Sequence, residues 1–181
     1  MADEQLFAWM DLEMTGLEPD CDVILEVACL VTGPDLAPRD SVEHVIWQPP
    51  TVLDRMSDFV RDMHTRNGLL ERVKASTTSL REAEDSVLAL LARHCGPREA
   101  VLAGNSIHQD RRFIARYMPR LDAFLHYRQV DVSTLKVLAR AWYPQVPKFE
   151  KPGKDHTALA DLRDSLAELQ FYRQHLLRPA P

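Results

Sequence analysis

The chain has 181 residues, 45% of them apolar and 27% charged, a composition typical of one folded domain and not of a disordered chain. The net charge is −5, so the chain lacks the excess of Lys and Arg with which proteins usually bind long nucleic acids. The acidic start at residues 1–4 does not resemble a signal or transit peptide, and no apolar run is long enough to cross a membrane. We therefore expect one domain, residues 1–181, in the cytoplasm, with no membrane partner.

The first part of the chain predicts three strands. Residues 6–14, 23–32 and 41–47 are rich in apolar and β-branched side chains, and Gly33-Pro34-Asp35 is a turn signal. Short connections between the strands favour an antiparallel meander.

Helices alternate with short strands after the meander, which predicts an α/β domain. A helix over 52–63 is expected from the spacing of its apolar residues, and Ser79-Leu80-Arg81-Glu82 is a capping box for another, stopped by Gly96-Pro97. The remaining expected elements are a strand at 100–103, a helix at 110–118 ended by Pro119, a strand at 129–132, a helix from Ser133 as N-cap to about 142, a loop at 143–154 and a last helix at about 156–176.

The three cysteines, Cys21, Cys29 and Cys95, match no zinc motif. Cys29 and Cys95 stand among apolar residues and are expected to pack as small core side chains. Free thiols favour a reducing compartment.

Asp11 and Glu13 interrupt the first predicted strand, which is otherwise mostly apolar. Residues two apart on a strand point to the same face, so the two carboxylates would lie side by side. Their repulsion and lost hydration favour a divalent cation between them, and Mg²⁺ and Mn²⁺ prefer oxygen ligands. The alternative is an exposed strand end with both carboxylates hydrated.

Two further acidic segments occur later in the chain. Asp110 follows Gly104-Asn105-Ser106 at a strand-to-helix turn, where functional loops of α/β domains lie. His156 and Asp161 stand at the start of the last predicted helix, with Asp155 as its expected N-cap and Asp161 in its second turn. A histidine there could take a proton from water beside a metal-binding aspartate. The simpler alternatives are a helix-dipole partner at 110 and an exposed histidine at 156.

Together, Asp11-x-Glu13, Asp110 and His156-x4-Asp161 resemble the signature of the DEDD exonuclease superfamily in its histidine-containing branch. Longer strings narrow the resemblance to the oligoribonuclease family and extend it over nearly the whole chain. They are Trp9-Met10-Asp11-Leu12-Glu13-Met14-Thr15-Gly16-Leu17, Glu71-Arg72-Val73-Lys74-Ala75-Ser76-Thr77, Gly104-Asn105-Ser106 through Phe113, and His126-Tyr127-Arg128-Gln129-Val130-Asp131-Val132-Ser133-Thr134.

The resemblance implies an RNase H-like α/β fold, with a mixed central sheet flanked by helices, and a homodimer. It implies that Asp11, Glu13, Asp110 and Asp161 hold two divalent metal ions, Mg²⁺ or Mn²⁺, and that His156 is the general base. The implied activity is 3′→5′ hydrolysis of very short RNA oligomers, especially dinucleotides, to 5′-mononucleotides.

The same resemblance implies six substrate-binding residues. Leu17 and Phe59 are expected to wedge or stack against bases; family members usually carry Trp where this chain has Phe59, but a phenyl ring also offers a face for stacking. The groups expected to cap the 5′ phosphate are His64, Ser106 and Arg128, with Tyr127 reaching in from the partner subunit.

Three other interpretations remain open from the sequence. A proofreading-type or tRNA-trimming exonuclease would use the same catalytic residues on longer substrates, although the His126-Tyr127-Arg128 string and the missing basic surplus argue against it. An inactive fold of the same kind could bind RNA or protein, although all five catalytic positions are filled. An acidic α/β domain without a site would require the motifs to coincide by chance.

Overall fold

A five-stranded sheet with the order β3-β2-β1-β4-β5 organises the computed structural model, which describes residues 4–151 and 157–177. The first three strands form the predicted antiparallel meander, while β4 pairs parallel with β1 and β5 pairs parallel with β4. The sheet is therefore mixed, as expected. Its strands are β1 Phe7–Met14, β2 Ile24–Thr32, β3 Pro38–Val45, β4 Val101–Gly104 and β5 Gln129–Asp131.

Helices cover both faces of this sheet. In the described ranges they are α1 Pro50–Leu53, α2 Asp58–Arg66, α3 Leu69–Ala75, α4 Leu80–Ala92, α5 His108–Tyr117, α6 Pro119–Phe124, α7 Val132–Trp142 and α8 Ala158–Leu176. None of these helices is long and apolar enough to cross a bilayer.

The central strand β1 divides its side chains between two cores. Met10 and Leu12 pack with Phe113 of α5 on one face of the sheet. Trp9 packs with Leu162 of α8 on the other face. Because side chains alternate along a strand, Asp11 and Glu13 continue the Trp9 face and point to the α8 side of the sheet.

The predicted helix over 52–63 is wrong, because the structure divides this segment into α1 and α2. The break lies at Asp54–Ser57, and the Ser57 hydroxyl accepts a hydrogen bond from the Val60 N–H to start α2. Met56 is buried although it lies in neither helix, and Met63 is 39% exposed. Apolar spacing alone did not reveal that a serine cap interrupts the pattern.

Two predicted helix starts also need correction. Asp131, and not Ser133, is the N-cap of α7, since its side chain accepts the Ser133 N–H. Thr157 is the N-cap of α8, where Asp155 was predicted; Asp155 lies outside the described residues. The later start puts Asp161 in the first turn of α8 instead of the second.

Two short helices were not predicted at all. Pro119 ends α5 as expected but also begins α6, because proline suits the first position of a helix. Helix α3 follows Gly68, which has a positive φ of 74° that favours glycine.

Candidate active site

Three carboxylates from distant parts of the chain converge at the end of β1. Asp11 and Glu13 come from the strand, and Asp161 comes from the first turn of α8, which packs on the same face. One carboxylate oxygen of each residue lies within 4.8 Å of those of the other two. This spacing is close enough for the three groups to share a bound cation.

Asp110 adds a fourth carboxylate from the opposite side of the strand end. It lies in the first turn of α5 and is 7% exposed. Its Oδ1 accepts the N–H of Leu12, the residue between the two acidic positions of β1, at 2.9 Å. Asp110 is therefore fixed against the strand that carries Asp11 and Glu13.

Three of these carboxylates, Asp11, Glu13 and Asp110, are disfavoured in their charged form when no cation is bound. Burial raises the pKa of Asp11 well above its usual range, and the charges of Asp110, Glu13 and Asp161 raise it further. Burial likewise raises the pKa of Glu13 to about 7 and that of Asp110 to about 7. A divalent cation would relieve this repulsion, so the residues present fit a metal site with oxygen ligands.

A lysine already provides a cation at this cluster. Lys151 Nζ lies 2.8 Å from Asp161 Oδ1, although the two residues belong to different elements. An ammonium group at this position shows that the local potential attracts positive charge. A lysine in a proline-containing loop was the only signal for this pair in the sequence.

His64 is fully buried beside Glu13 and does not lie at the protein surface. Its Nε2 is 2.9 Å from the Met14 carbonyl oxygen, and its Nδ1 is 3.9 Å from Glu13 Oε2. Burial lowers the pKa of His64, which favours the neutral ring. The donor to a carbonyl must be Nε2–H, so Nδ1, which has no hydrogen-bond partner among the described residues, presents a lone pair towards Glu13.

His156 lies outside the described residues, so its role as a general base stays a prediction. The described chain resumes at Thr157, whose carbonyl oxygen accepts the N–H of Asp161 at 3.0 Å. Thr157, the residue that follows position 156, thus lies within one helical turn of Asp161.

A cavity of about 370 Å³ opens beside the carboxylates. Glu13 and Asp161 form one side of it, and Met63, Arg66 and Asn67 from the end of α2 form the other. These three α2 residues were not predicted as site residues, since nothing in the local pattern joins them to the acidic motifs. Arg66 brings a positive charge into a cavity otherwise lined by acidic and uncharged groups.

The predicted stacking residues are both exposed. Leu17 is 59% exposed and Phe59 is 75% exposed. The turn that carries Leu17 is held by Asp22, which accepts hydrogen bonds from Thr15 Oγ1 and the Glu18 N–H. A Cβ at Gly16 would clash with the Asp22 carboxylate, so a larger residue there would displace the side chain that holds this turn.

The predicted cap residues lie at different ends of β5. The Ser106 N–H donates to Asp131 Oδ1 at 2.9 Å, at the carboxyl end of the strand. Tyr127 and Arg128 lie just before its amino end, where the guanidinium is 5.3 Å from the tyrosine ring centroid. Both side chains are exposed, and no hydrogen bond joins Arg128 to Ser106 among the described residues.

Comparison with known proteins decides the family. The exonuclease family RNase_T matches residues 8–169. An oligoribonuclease of Corynebacterium diphtheriae is 55% identical over 177 residues, which cover 96% of this chain and 84% of that protein. An oligoribonuclease of Paracidovorax citrulli is 51% identical over 174 residues, 96% of this chain and 90% of that protein. The chain belongs to the oligoribonuclease family.

Solved structures of exonuclease I resemble this family member in fold. The enzyme of Methylocaldum szegediense gives a TM-score of 0.66 at 16% identity, over 94% of this chain and 41% of that longer one. Escherichia coli exonuclease I in complex with a 5cy-dT13 oligonucleotide gives 0.68 at 12% identity, over 96% and 41%. At such low identity the likeness concerns the fold alone, and it confirms the predicted RNase H-like architecture.

The raised carboxyl pKa values predict how the stability of this oligoribonuclease-family chain depends on pH. Glu13 and Asp110 keep their protons up to about pH 7 in the folded state without metal, whereas unfolded carboxyls release them near pH 4. Their contribution to stability is therefore complete at low pH and is lost as the pH rises through about 7.

We expect the melting temperature of the metal-free protein to fall by roughly 5 °C between about pH 5 and pH 8, and added Mg²⁺ or Mn²⁺ to reverse the fall. Differential scanning calorimetry with and without chelator would measure both changes. The Glu13→Gln variant is the control, because it should show a smaller dependence on pH. A melting temperature that is constant or rises over this range would contradict the prediction.

Proposed function

We propose that this chain is a 3′→5′ exoribonuclease that hydrolyses very short RNA oligomers, especially dinucleotides, to 5′-mononucleotides by two-metal-ion catalysis. The observation that carries the proposal is the convergence of Asp11, Glu13 and Asp161 within 4.8 Å. The relatives named oligoribonuclease match this chain at about half identity over nearly its full length, which supports the same substrate class.

In this mechanism Asp11, Glu13, Asp110 and Asp161 would hold two divalent ions, Mg²⁺ or Mn²⁺. Bound there, such ions would lower the pKa of a water molecule and stabilise charge on the attacking and departing oxygens. His156 accepts the proton of the attacking water, and the P–O3′ bond breaks with the proton returned to the departing 3′ oxygen. Lys151 would release Asp161 Oδ1 when this carboxylate binds metal, since both cations use the same group.

Short substrates fit the charge of this chain, because only one or two phosphates need positive partners. Arg66 supplies one such charge in the cavity, and Leu17 and Phe59 expose apolar surface for base stacking, worth about 1–3 kcal/mol per base. We propose that Ser106 and Arg128 bind the terminal phosphate. His64, which is buried against Met14 and Glu13, would contact the same phosphate from the bottom of the site.

We also propose a homodimer in which Tyr127 reaches the active site of the partner. Large side chains with apolar surface remain exposed before β5 and on α7: Tyr127 at 65%, Val137 at 62% and Trp142 at 65%. A second copy of the chain could cover them. The free thiols of Cys21, Cys29 and Cys95 support a cytoplasmic location, and the family match to residues 8–169 supports a single domain over 1–181.

The proposed function is tested with a 5′-labelled diribonucleotide and a long RNA oligomer, each with Mg²⁺ and with chelator. We expect mononucleotides to form from the dinucleotide with Mg²⁺, and no product to form with chelator. Absence of metal-dependent product would overturn the proposal. Equal or faster degradation of the long oligomer would instead favour the proofreading-type or tRNA-trimming alternative.

A further inference from the structure

The first turn of α8, which carries Asp161, is attached to the sheet through its own backbone. The first four N–H groups of a helix have no partner within the helix and need acceptors from elsewhere. In α8 the N–H groups of Ala158, Leu159 and Ala160 have such acceptors, and two of the acceptors are carboxylates from β2 and β3. The contacts are Ala158 N–H to Glu26 Oε2 at 3.4 Å, Leu159 N–H to Glu43 Oε1 at 3.0 Å and Ala160 N–H to Thr157 Oγ1 at 3.2 Å, whereas the Asp161 N–H makes the first bond within the helix, to Thr157 O at 3.0 Å.

Glu26 is the unusual member of this set, because its side chain is completely buried. It stands directly opposite Glu13 in the pairing of β1 with β2, so two carboxylates are neighbours in the sheet. Burial of a charged carboxylate is costly unless a partner compensates for it. Glu26 is thus kept in a costly position beside the carboxylate of Glu13, which indicates that it has a specific role.

Arg72 of α3 is the compensating partner. Its Nη1 lies 2.5 Å from Glu26 Oε1, and its Nη2 lies 3.4 Å from Glu26 Oε2. Arg72 belongs to the string from Glu71 to Thr77 that resembles the family but has no place in the proposed chemistry. Glu26 thus joins α3, on one side, to the N-terminus of α8 on the other.

We propose that Glu26 and Arg72 form a positioning pair that holds the first turn of α8 against the sheet and so places Asp161 beside Asp11 and Glu13 for metal binding. The inference rests on the proposed role of Asp161 as a metal ligand. Neither residue of the pair touches the metal or the substrate in this scheme. Groups that orient metal ligands in this way typically change metal affinity by about 10–100-fold when they are removed.

An effect of charge alone makes a different prediction, which allows the two explanations to be separated. If Glu26 acted only through its negative charge, its loss would weaken cation binding, and loss of the positive Arg72 would strengthen it. If the pair acts by position, both losses weaken cation binding, because either one disturbs the Glu26 contact with the Ala158 N–H and leaves only Glu43 to join the first turn of α8 to the sheet.

The experiment measures Mn²⁺ binding to the metal-free full-length chain by isothermal titration calorimetry, without substrate. The variants are Glu26→Gln and Arg72→Met, of which the second keeps the aliphatic stem of the arginine. We expect both to raise the dissociation constant for Mn²⁺ by roughly tenfold. With dinucleotide at saturating Mn²⁺, kcat should recover substantially while KM stays near the wild-type value.

Asp40→Asn is the matched control. Asp40 also lies in the meander and pairs with Arg93 at 2.8 Å and with His94 at 3.2 Å, but among the described residues it forms no hydrogen bond or ion pair with α8. Its loss should lower the melting temperature without a change in Mn²⁺ affinity. The Arg72 side chain is 36% exposed, so Arg72→Met provides the decisive result if Glu26→Gln does not fold.

Tighter Mn²⁺ binding by Arg72→Met, or unchanged binding by both variants, would overturn the positioning role. Failure of the underlying function has a separate signature: wild type that binds no Mn²⁺, or Asp161→Asn that binds it as tightly as wild type. These outcomes keep the test of the pair distinct from the test of the metal site.

Discussion

The Asp11→Ala variant should fold normally but hydrolyse RNA about a thousandfold more slowly than wild type, which corresponds to about 4 kcal/mol of transition-state stabilisation. Asp11 lies in the group of three carboxylates whose oxygens are within 4.8 Å of one another. Its removal takes away a ligand at the centre of the proposed metal site. The stability of the fold should not decrease, because burial and three neighbouring carboxylates raise the pKa of Asp11 and make its charge unfavourable without metal.

Initial rates on a dinucleotide and the melting temperature without metal would be measured on the same preparation. The metal-free variant should melt at or above the temperature of wild type, since a repelling buried carboxyl is lost. Asp54→Ala is the control, because Asp54 is a 76% exposed carboxylate outside the cluster, and its loss should leave the rate unchanged. Turnover of Asp11→Ala at a rate comparable to wild type would refute the metal assignment.

The sequence predicted the part of the site that depends on strand periodicity. Asp11 and Glu13 share a sheet face because side chains alternate along β1, and the structure places both towards α8. The capping box at Ser79 likewise predicted the start of α4, since all of its contacts lie within four residues. Patterns that are complete within a few residues can be found from the sequence alone.

Contacts between distant segments were not predictable in the same way. Arg66 lines the cavity opposite Glu13 and Asp161, and Lys151 pairs with Asp161, because the fold brings these segments together. Glu26 did leave a signal, an acidic residue within the apolar run of β2, but its partner Arg72 is 46 positions away. A buried charge in a strand indicates that some partner exists without indicating which residue it is.

The division of 52–63 into α1 and α2 has a similar explanation. The apolar residues of this segment still face the core, with Leu53 and Met56 in one cluster and Val60 packed against it. A core contact does not require a continuous helix, and the Ser57 hydroxyl offers the chain a new start. Apolar spacing therefore located the buried side chains better than it located the helix.

Arg128→Ala should lower dinucleotide hydrolysis by about 10–100-fold and affect a long oligomer much less. A hydrogen bond from a charged group is worth about 1.5–3 kcal/mol, which corresponds to such a factor. Arg128 is exposed and forms no ion pair with any described residue, so its guanidinium is available to a phosphate. A dinucleotide has one or two phosphates in all, so a single lost contact removes a large share of its binding. A long oligomer spreads its binding over many groups.

The comparison needs kcat/KM for both substrates, measured for wild type, Arg128→Ala and a control. Arg81→Ala suits this purpose, because Arg81 is 82% exposed on α4 and carries the same charge. If the two substrates lose equal activity, Arg128 does not cap a short substrate. Salt provides an independent readout, since the loss of one phosphate contact to a single strand should reduce the slope of log affinity against log salt by about 0.7. Arg81→Ala should leave that slope unchanged, which separates a specific phosphate contact from a general change in surface charge.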